Sequence, residues 1–160
     1  MVQGRSISPH ALNGMGILFM GDNCMNKEYI TKISKKDAES CNRPDLVGKN
    51  IVLYENDKLH CYSEHYKNFK NKKEFGFVMN NLDFIINECD FVLFNCKNKS
   101  LEYYKKLNSN ITVRVRVEDS NELKIKTMFP VSESKYEMKM TRYAYNKYVI
   151  QDDEKELATN

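Results

Sequence analysis

The pattern of apolar and polar positions predicts a chain in which strands and helices are mixed. Leu46–Tyr54 is predicted to form a strand with a buried centre, and Phe91–Phe94 a short buried strand. Between them, the apolar residues of Phe75–Cys89 recur every three or four positions, the spacing of one helical face. Leu101–Leu107 suits a short helix capped by Ser100. The short apolar and polar mixture between the first strand and the long helix fits either strand or helix.

A hairpin is predicted near the end of this pattern. Ile111–Val117 alternates strictly between apolar and polar residues, and Leu123–Phe129 returns after a turn at 119–121. A regular register would place Arg116 opposite Lys124 and would bring all the cations of both strands onto one face. The same register places Arg114 opposite Lys126. Like charges directly opposed destabilise a sheet, so we expect an anionic partner to meet this face.

The length of 160 residues fits one domain with an extension or a tail. Residues 1–42 contain scattered glycines and are predicted to be a partly flexible N-terminal extension, with one strand or a short helix at most packed on the domain. The domain itself is predicted to span residues 43–150. Residues 151–160 form an acidic tail, with four acidic residues against one lysine and a local net charge of −3.

Charge is distributed unevenly, and the total hides this. The formal net charge is only +3, too small to indicate a nucleic-acid partner by itself. Residues 58–73, however, hold five lysines against one glutamate, a local net charge of +4. Lys67 and Lys70 belong to this run and are candidate phosphate-binding residues.

Cysteine usage and hydropathy set the cellular context. The five cysteines are odd in number and none forms a CxxC pair, which argues against a zinc knuckle or a disulfide framework. No apolar run approaches the ~20 residues that a membrane-spanning helix requires, so no membrane partner is expected. We expect reduced thiols and a cytoplasmic location, either in the cell of origin or in a target cell into which the protein is delivered.

Two histidines, His60 and His65, stand five positions apart just before the basic run. Metal-free RNA cleavage needs a base for the 2′-hydroxyl proton and an acid for the leaving 5′-oxygen, and histidine can serve as either near neutral pH. Both histidines could equally be ordinary structural or surface residues, and spacing alone favours that reading. The spacing does not suit a metal site, and no metal or cofactor is predicted.

The cationic hairpin offers a second set of candidates. Arg114 and Arg116, helped by Lys124 and Lys126, could hold a phosphate and stabilise its transition state. The alternative is a solvated outer face. Thr127 could donate a hydrogen bond to a phosphate oxygen, but a regular strand would turn it to the apolar face, so this role requires a bulge.

Tyrosines and cations alternate near the C-terminus. Tyr136 is the candidate base-stacking residue of this region, because aromatic rings interleaved with lysines and arginines can bind single-stranded nucleic acid. The alternative is an ordinary amphipathic helix or strand.

The order of these segments resembles the phage-type members of the barnase–EndoU–colicin–RelE superfamily of RNases. The resemblance covers residues 45–130 and rests on a histidine after the first strand, on Cys89-Asp90-Phe91-Val92 in place of a Pro-Asp-x-Val-like motif, and on Thr127-Met128-Phe129 in place of a Thr-Ala-Phe-like motif. The proline before Asp90 is missing, and His60 is additional.

The resemblance implies a fold, an activity and partners. The implied fold is α+β and barnase/RelE-like, a small antiparallel sheet with helices packed on one side. The implied activity is metal-independent endoribonuclease cleavage of RNA, including tRNA, by a toxin or phage-related effector, with an acidic immunity or antitoxin protein as a further partner. His65 takes the position of the catalytic histidine. The competing hypothesis is a non-catalytic RNA-binding or protein-inhibiting module that uses the same basic face.

Overall fold

A six-stranded mixed sheet organises the fold. The computed structural model describes the backbone of residues 26–158 and the side chains of residues 26–147. The strands are β1 (Lys27–Lys32), β2 (Asn50–Tyr54), β3 (Phe91–Asn95), β4 (Ser100–Lys106), β5 (Thr112–Asp119) and β6 (Leu123–Pro130). Their order across the sheet is β1-β2-β6-β5-β4-β3.

The predicted α+β class is confirmed, but the sheet is not purely antiparallel. β2 and β6 run parallel, while the other neighbouring strands pair antiparallel. The reason is the path of the chain. After β2 it leaves the sheet through helices, enters again at β3 on the far edge and returns strand by strand, so that β6 reaches β2 in the same direction.

Within residues 26–158, five α-helices accompany the sheet. They are α1 (Lys35–Ser40), α2 (Glu55–His60), α3 (Lys72–Asn80), α4 (Leu82–Asn87) and α5 (Glu133–Ala158). A π-helical turn, Cys61–His65, continues α2 directly, and a 3-10 turn, Tyr66–Asn68, follows it. The predicted helix over 75–89 is found in two pieces that change direction at Asn81, and the first is capped by Asn71, whose side chain accepts a hydrogen bond from the Glu74 amide at 2.9 Å.

The predicted helix over 101–107 is wrong, because these residues form β4. Leu101 and Tyr103 are fully buried on one face of the sheet, and Glu102 and Tyr104 lie on the other. Both neighbours supply a complete ladder, β3 on one side and β5 on the other. Two-sided pairing therefore outweighed the helix preference of this short segment.

Residues 27–42 belong to the same folded unit as the rest. β1 pairs with β2, and Ile33 and Ala38 are buried in one core with Leu46 and Ile51. The boundary expected near residue 43 thus falls between elements that share a core, and the expected extension supplies both a strand and a short helix. The predictions for residues 1–25 and for the acidic side chains after residue 150 lie outside the described residues.

The two sheet faces are covered differently. One face packs on α1, α3 and α4 and forms the main core, to which Val113, Val115 and Val117 contribute. The other face meets α5, where Tyr136 packs with Phe91 and Tyr104. Helices therefore lie on both sides rather than on one side as expected. No helix among the described residues has the length and apolar character needed to cross a membrane.

Candidate active site

The second face of β4, β5 and β6 carries a small array of polar and aromatic side chains. Val113, Val115 and Val117 occupy the core face of β5, so strand alternation places the two arginines between them on the opposite face. The ladder aligns these arginines with residues of both neighbouring strands. One row across the three strands is Glu102, Arg116 and Thr127, and the next row is Tyr104, Arg114 and Phe129.

A β-bulge at Lys126 brings Thr127 into this array. Val117 pairs with Ile125 and Arg116 pairs with Thr127, so one extra residue is inserted into β6 between the two pairs. The insertion shifts the alternation, and Thr127 leaves the face that Ile125 occupies. The bulge that a phosphate-binding role for Thr127 requires is therefore present.

The predicted hairpin register is wrong for two reasons: the turn pairs Glu118 with Lys124 rather than with Glu122, and the bulge then adds one further residue. Arg116 lies opposite Thr127 rather than Lys124, and Arg114 lies opposite Phe129 rather than Lys126. A threonine and an aromatic ring thus replace the two expected cations. Stacked cations are avoided, and the Arg114 guanidinium lies 5.3 Å from the centre of the Phe129 ring instead.

The π-helical turn places His65 beside this array. The His65 ring packs edge-on against Phe129, with 4.6 Å between the ring centres. The turn is fixed to the bulge through Cys61, whose thiol donates to the Lys126 carbonyl oxygen at 3.8 Å. The Lys126 ammonium bonds Asp57 of α2 at 2.9 Å. Backbone and side chain of one bulged residue therefore both hold the segment that carries the histidine.

The surroundings of His65 keep its imidazole neutral. The residue is only 8% exposed, and burial is the main cause of a pKa below the ordinary histidine value. Electrostatic interactions with His60 and with Arg116 lower the pKa further, while Glu64 opposes them. A neutral imidazole at neutral pH is ready to accept a proton.

His60 is in direct contact with His65, but the contact limits what the pair can do. The ring centres are 4.9 Å apart and the planes are nearly perpendicular. Rings this close leave no space for a phosphate between them, so this arrangement does not put the two histidines on opposite sides of one substrate phosphate. It does let His60 influence the protonation of His65.

Unpartnered polar atoms concentrate at this site. Among the described residues, the buried side-chain atoms that make no hydrogen bond include His65 Nε2, Arg114 Nε, Arg116 Nε and Thr127 Oγ1. Each such atom costs free energy unless something binds it, and folded proteins keep few of them. Four of the six such atoms among the described residues therefore lie on two neighbouring strands and one adjoining turn.

Glu102 is a member of the site that the sequence did not reveal. Its side chain is 5% exposed and lies 3.9 Å from both Arg114 and Lys139 of α5. It also accepts hydrogen bonds from Tyr104 at 3.1 Å and from Asn95 at 3.2 Å. The signal that could have indicated Glu102 is its polar side chain between the apolar residues of Ser100–Lys106. The prediction of a helix for this segment concealed that signal.

The remaining predicted residues do not join the array. Lys124 lies across from Glu118 with its ammonium 5.7 Å from the Tyr54 ring centre, and Lys126 is engaged with Asp57. Lys67 and Lys70 are exposed on the segment that follows His65.

Tyr136 is not available to stack on a base. It is 6% exposed, its ring packs on Phe91, and its hydroxyl donates to Asp90 at 2.9 Å. Asp90 also accepts the Lys106 amide at 2.6 Å. The prediction for Tyr136 is therefore corrected: its ring is buried against Phe91, and its hydrogen bond to Asp90 anchors α5 to the sheet.

No cluster of three or more histidine, cysteine, aspartate or glutamate side chains suited to a metal ion occurs in the described part of the chain.

Comparison with known proteins gives one match. The profile of the family described as "phage-Barnase-EndoU-ColicinE5/D-RelE like nuclease3" matches residues 25–138. The match runs from the start of β1 into α5 and includes every member of the array. No curated protein and no solved structure matches the chain significantly.

Proposed function

This chain belongs to the phage barnase–EndoU–colicin E5/D–RelE-like nucleases, and we propose that it is an endoribonuclease that cuts RNA by attack of the 2′-hydroxyl on the neighbouring phosphate. The observation that carries the proposal is the group of unpartnered polar atoms on His65, Arg114, Arg116 and Thr127. Together they supply one proton acceptor and three hydrogen-bond donors. An anionic phosphodiester would accept hydrogen bonds from the three donors, and the adjoining 2′-hydroxyl would donate its proton to the acceptor.

In this scheme His65 is the general base. Its lowered pKa keeps the imidazole neutral at neutral pH, and with the ring proton on Nδ1 the unpartnered Nε2 can take the proton of the 2′-hydroxyl. The resulting alkoxide attacks the phosphorus, the bond to the 5′-oxygen breaks, and a 2′,3′-cyclic phosphate remains. The leaving 5′-oxygen takes a proton from water, and protonated His65 returns its proton to the solvent, so that the base is regenerated. His60 supports the base: its contact with His65 disfavours the protonated form of that residue.

The arginines and the threonine act on the phosphate. Negative charge grows on the non-bridging oxygens in the transition state, and Arg114 and Arg116 are placed to stabilise it. The Thr127 hydroxyl lies across the ladder from Arg116 and can donate a further hydrogen bond. These groups supply the charge stabilisation that a divalent ion would otherwise provide, so we propose cleavage without a metal.

The biological role that we propose is that of a toxin or phage-related effector acting in the cytoplasm of its own or a target cell. RNA, including tRNA, is the proposed substrate. An acidic immunity or antitoxin protein is the proposed protein partner, because the cationic array would be neutralised by such a surface.

The test is cleavage of total RNA by the purified protein in excess EDTA, with end-group analysis. We expect fragments with 2′,3′-cyclic phosphate ends and no cutting of a DNA of the same sequence, because DNA lacks the nucleophile. A protein that binds RNA but yields no cyclic ends would favour the non-catalytic module. Activity that EDTA abolishes and a divalent ion restores would contradict the mechanism.

A further inference from the structure

An aromatic pocket lies beside the π-helical turn that ends at His65, and none of its lining residues belongs to the array on β4, β5 and β6. It is lined by Tyr62 and Tyr66, by Phe75 and Gly76 of α3, and by Lys72, and its volume is about 340 Å³. This size falls within the ~300–1,000 Å³ typical of small-molecule sites. Nothing in the proposed cleavage step uses it.

The walls of the pocket are aromatic faces and edges held in fixed positions. Tyr62 meets Phe75 edge to face, with 5.0 Å between the ring centres and an angle of 87°. The Lys72 ammonium lies 5.8 Å from the centre of the Tyr66 ring. Tyr62 is nevertheless 44% exposed, so a ring entering the pocket can reach it.

Gly76 supplies an independent indication that the space is kept open. It lies inside the helix Lys72–Asn80, where glycine costs roughly 0.5–1 kcal/mol relative to alanine. Neither backbone nor packing demands it, because a Cβ built at Gly76 meets no atom within 4 Å. Gly76 is itself one of the residues that line the pocket, so a long side chain at this position would border the same space.

The chemistry of the surroundings points to one occupant. The pocket adjoins the lysine run that gives residues 58–73 a local net charge of +4. Tyr66 follows His65 directly in the chain, and successive Cα atoms lie only about 3.8 Å apart. An aromatic slot on the same turn as the proposed base, and beside cations, suits a flat ring attached to an anionic backbone.

We propose that this pocket binds a nucleobase of single-stranded RNA, in a nucleotide that flanks the cleaved phosphate, by stacking on Tyr62 and Tyr66. The inference rests on the proposed endoribonuclease function and adds the substrate class: unpaired RNA whose base is free to leave its stack. Lys72 binds the phosphate of the same nucleotide.

The experiment measures binding of a fully 2′-O-methylated oligoadenylate of about eight nucleotides, which has no 2′-hydroxyl and so cannot be cut. We compare wild type with Tyr62→Leu, Tyr62→Phe, Gly76→Ala and Gly76→Leu, and Tyr29→Leu is the control, an exposed tyrosine on β1 (56% exposed). Thermal melting establishes that each variant is folded.

Loss of one stacked base should weaken binding roughly 5- to 100-fold in Tyr62→Leu, and Tyr62→Phe should restore it. Gly76→Leu, which fills the pocket, should weaken binding more than Gly76→Ala, and Tyr29→Leu should bind as wild type does. A single abasic site, moved along the oligonucleotide, should weaken binding to wild type at one position and have no such effect on Tyr62→Leu.

Two outcomes would overturn the inference, and they are distinct. If wild type cleaves RNA but folded Tyr62→Leu and Gly76→Leu bind the oligonucleotide unchanged, the pocket does not hold a base and the endoribonuclease function stands. If wild type neither binds nor cuts RNA, the proposed function fails and this inference fails with it.

Discussion

Arg116 lies directly opposite Thr127 because Lys126 bulges out of the β5–β6 ladder. Shifting a strand by one residue moves its side chains to the other face, so the bulge alone decides whether the Thr127 hydroxyl faces the arginines or the core. Asp57 and Cys61 hold the bulged residue through its ammonium and its carbonyl. Lys126 therefore fixes the position of Thr127 on the sheet and also holds the adjoining turn that carries His65.

The first prediction concerns the buried hydroxyl of Thr127, which has no hydrogen-bond partner among the described residues. Thr127→Val should leave thermal stability unchanged or raise it, because an unsatisfied polar group is removed. Cleavage should nevertheless slow by roughly 10-fold, the worth of one hydrogen bond to the phosphate. Thr127→Ser should retain most of the activity.

Thr31→Val is the matched control for this substitution. The Thr31 hydroxyl donates to Asn87 at 2.8 Å on the opposite side of the sheet, so its removal should lower the melting temperature and leave cleavage intact. If Thr127→Val behaved like Thr31→Val, losing stability but not turnover, the hydroxyl would be structural.

Much of this arrangement could be predicted from the sequence. The parts that could not be predicted depend on contacts between residues that are distant in the sequence. The alternation of Ile111–Val117 placed both arginines on one face, and the family resemblance, now confirmed, singled out His65 and Thr127. Two features of the register could not be predicted: the turn pairs Glu118 with Lys124 rather than with Glu122, and the bulge depends on contacts between Lys126 and a segment 65 to 69 residues away. Glu102 and the burial of Tyr136 likewise depend on neighbours that are distant in sequence.

The second prediction concerns the general base. His65→Gln should lower single-turnover cleavage by roughly 10²–10⁴-fold, since glutamine cannot accept the proton. The histidine is buried against Phe129, so some loss of stability is expected as well, in contrast to a residue at an open edge. His60→Gln should reduce turnover less. A folded His65→Gln protein with full activity would exclude the role.

The third prediction is the pH dependence of cleavage. His65 must be neutral to accept a proton, so kcat/KM should rise with pH through an ionisation below the ordinary value of about 6.5 and then stay level. The positive charge of Arg116 lowers this pKa, so Arg116→Gln should move the rise to higher pH. Lys124→Gln is the control with the same charge change and should not move it.

The free energy of unfolding should also depend on pH through the protonation of His65, and the direction of the change can be predicted. The pKa of His65 is lower in the folded state than in the unfolded chain, so the unfolded chain binds the proton more readily. The free energy of unfolding should therefore be highest above pH ~6.5 and fall as the pH drops through this range. Urea titrations at several pH values measure the free energy of unfolding of wild type and of His65→Gln. If this free energy fell equally toward low pH in both proteins, the pH dependence could not be assigned to His65.

The fourth prediction separates RNA binding from turnover at the arginines. Arg114→Gln and Arg116→Gln should each weaken RNA binding, reduce its salt dependence and slow cleavage at saturating RNA. Lys124→Gln, which removes the same charge beside Tyr54, should weaken binding with little effect on the saturated rate. Equal saturated rates in all three variants would mean that the arginines do not contact the reacting phosphate.

The last prediction concerns Glu102, which is buried beside the guanidinium of Arg114 and the ammonium of Lys139, at 3.9 Å from each. Glu102→Gln removes the negative charge that positions these cations, so stability should fall by roughly 1–3 kcal/mol. RNA should bind more tightly at low salt because the face becomes more positive, while cleavage at saturating RNA should slow because Arg114 is no longer held in place. Glu118→Gln makes the same charge change in the next row of β5, opposite Lys124, and should tighten binding without slowing cleavage. If the two variants changed both quantities alike, Glu102 would act only through the net charge of the face and would not position Arg114.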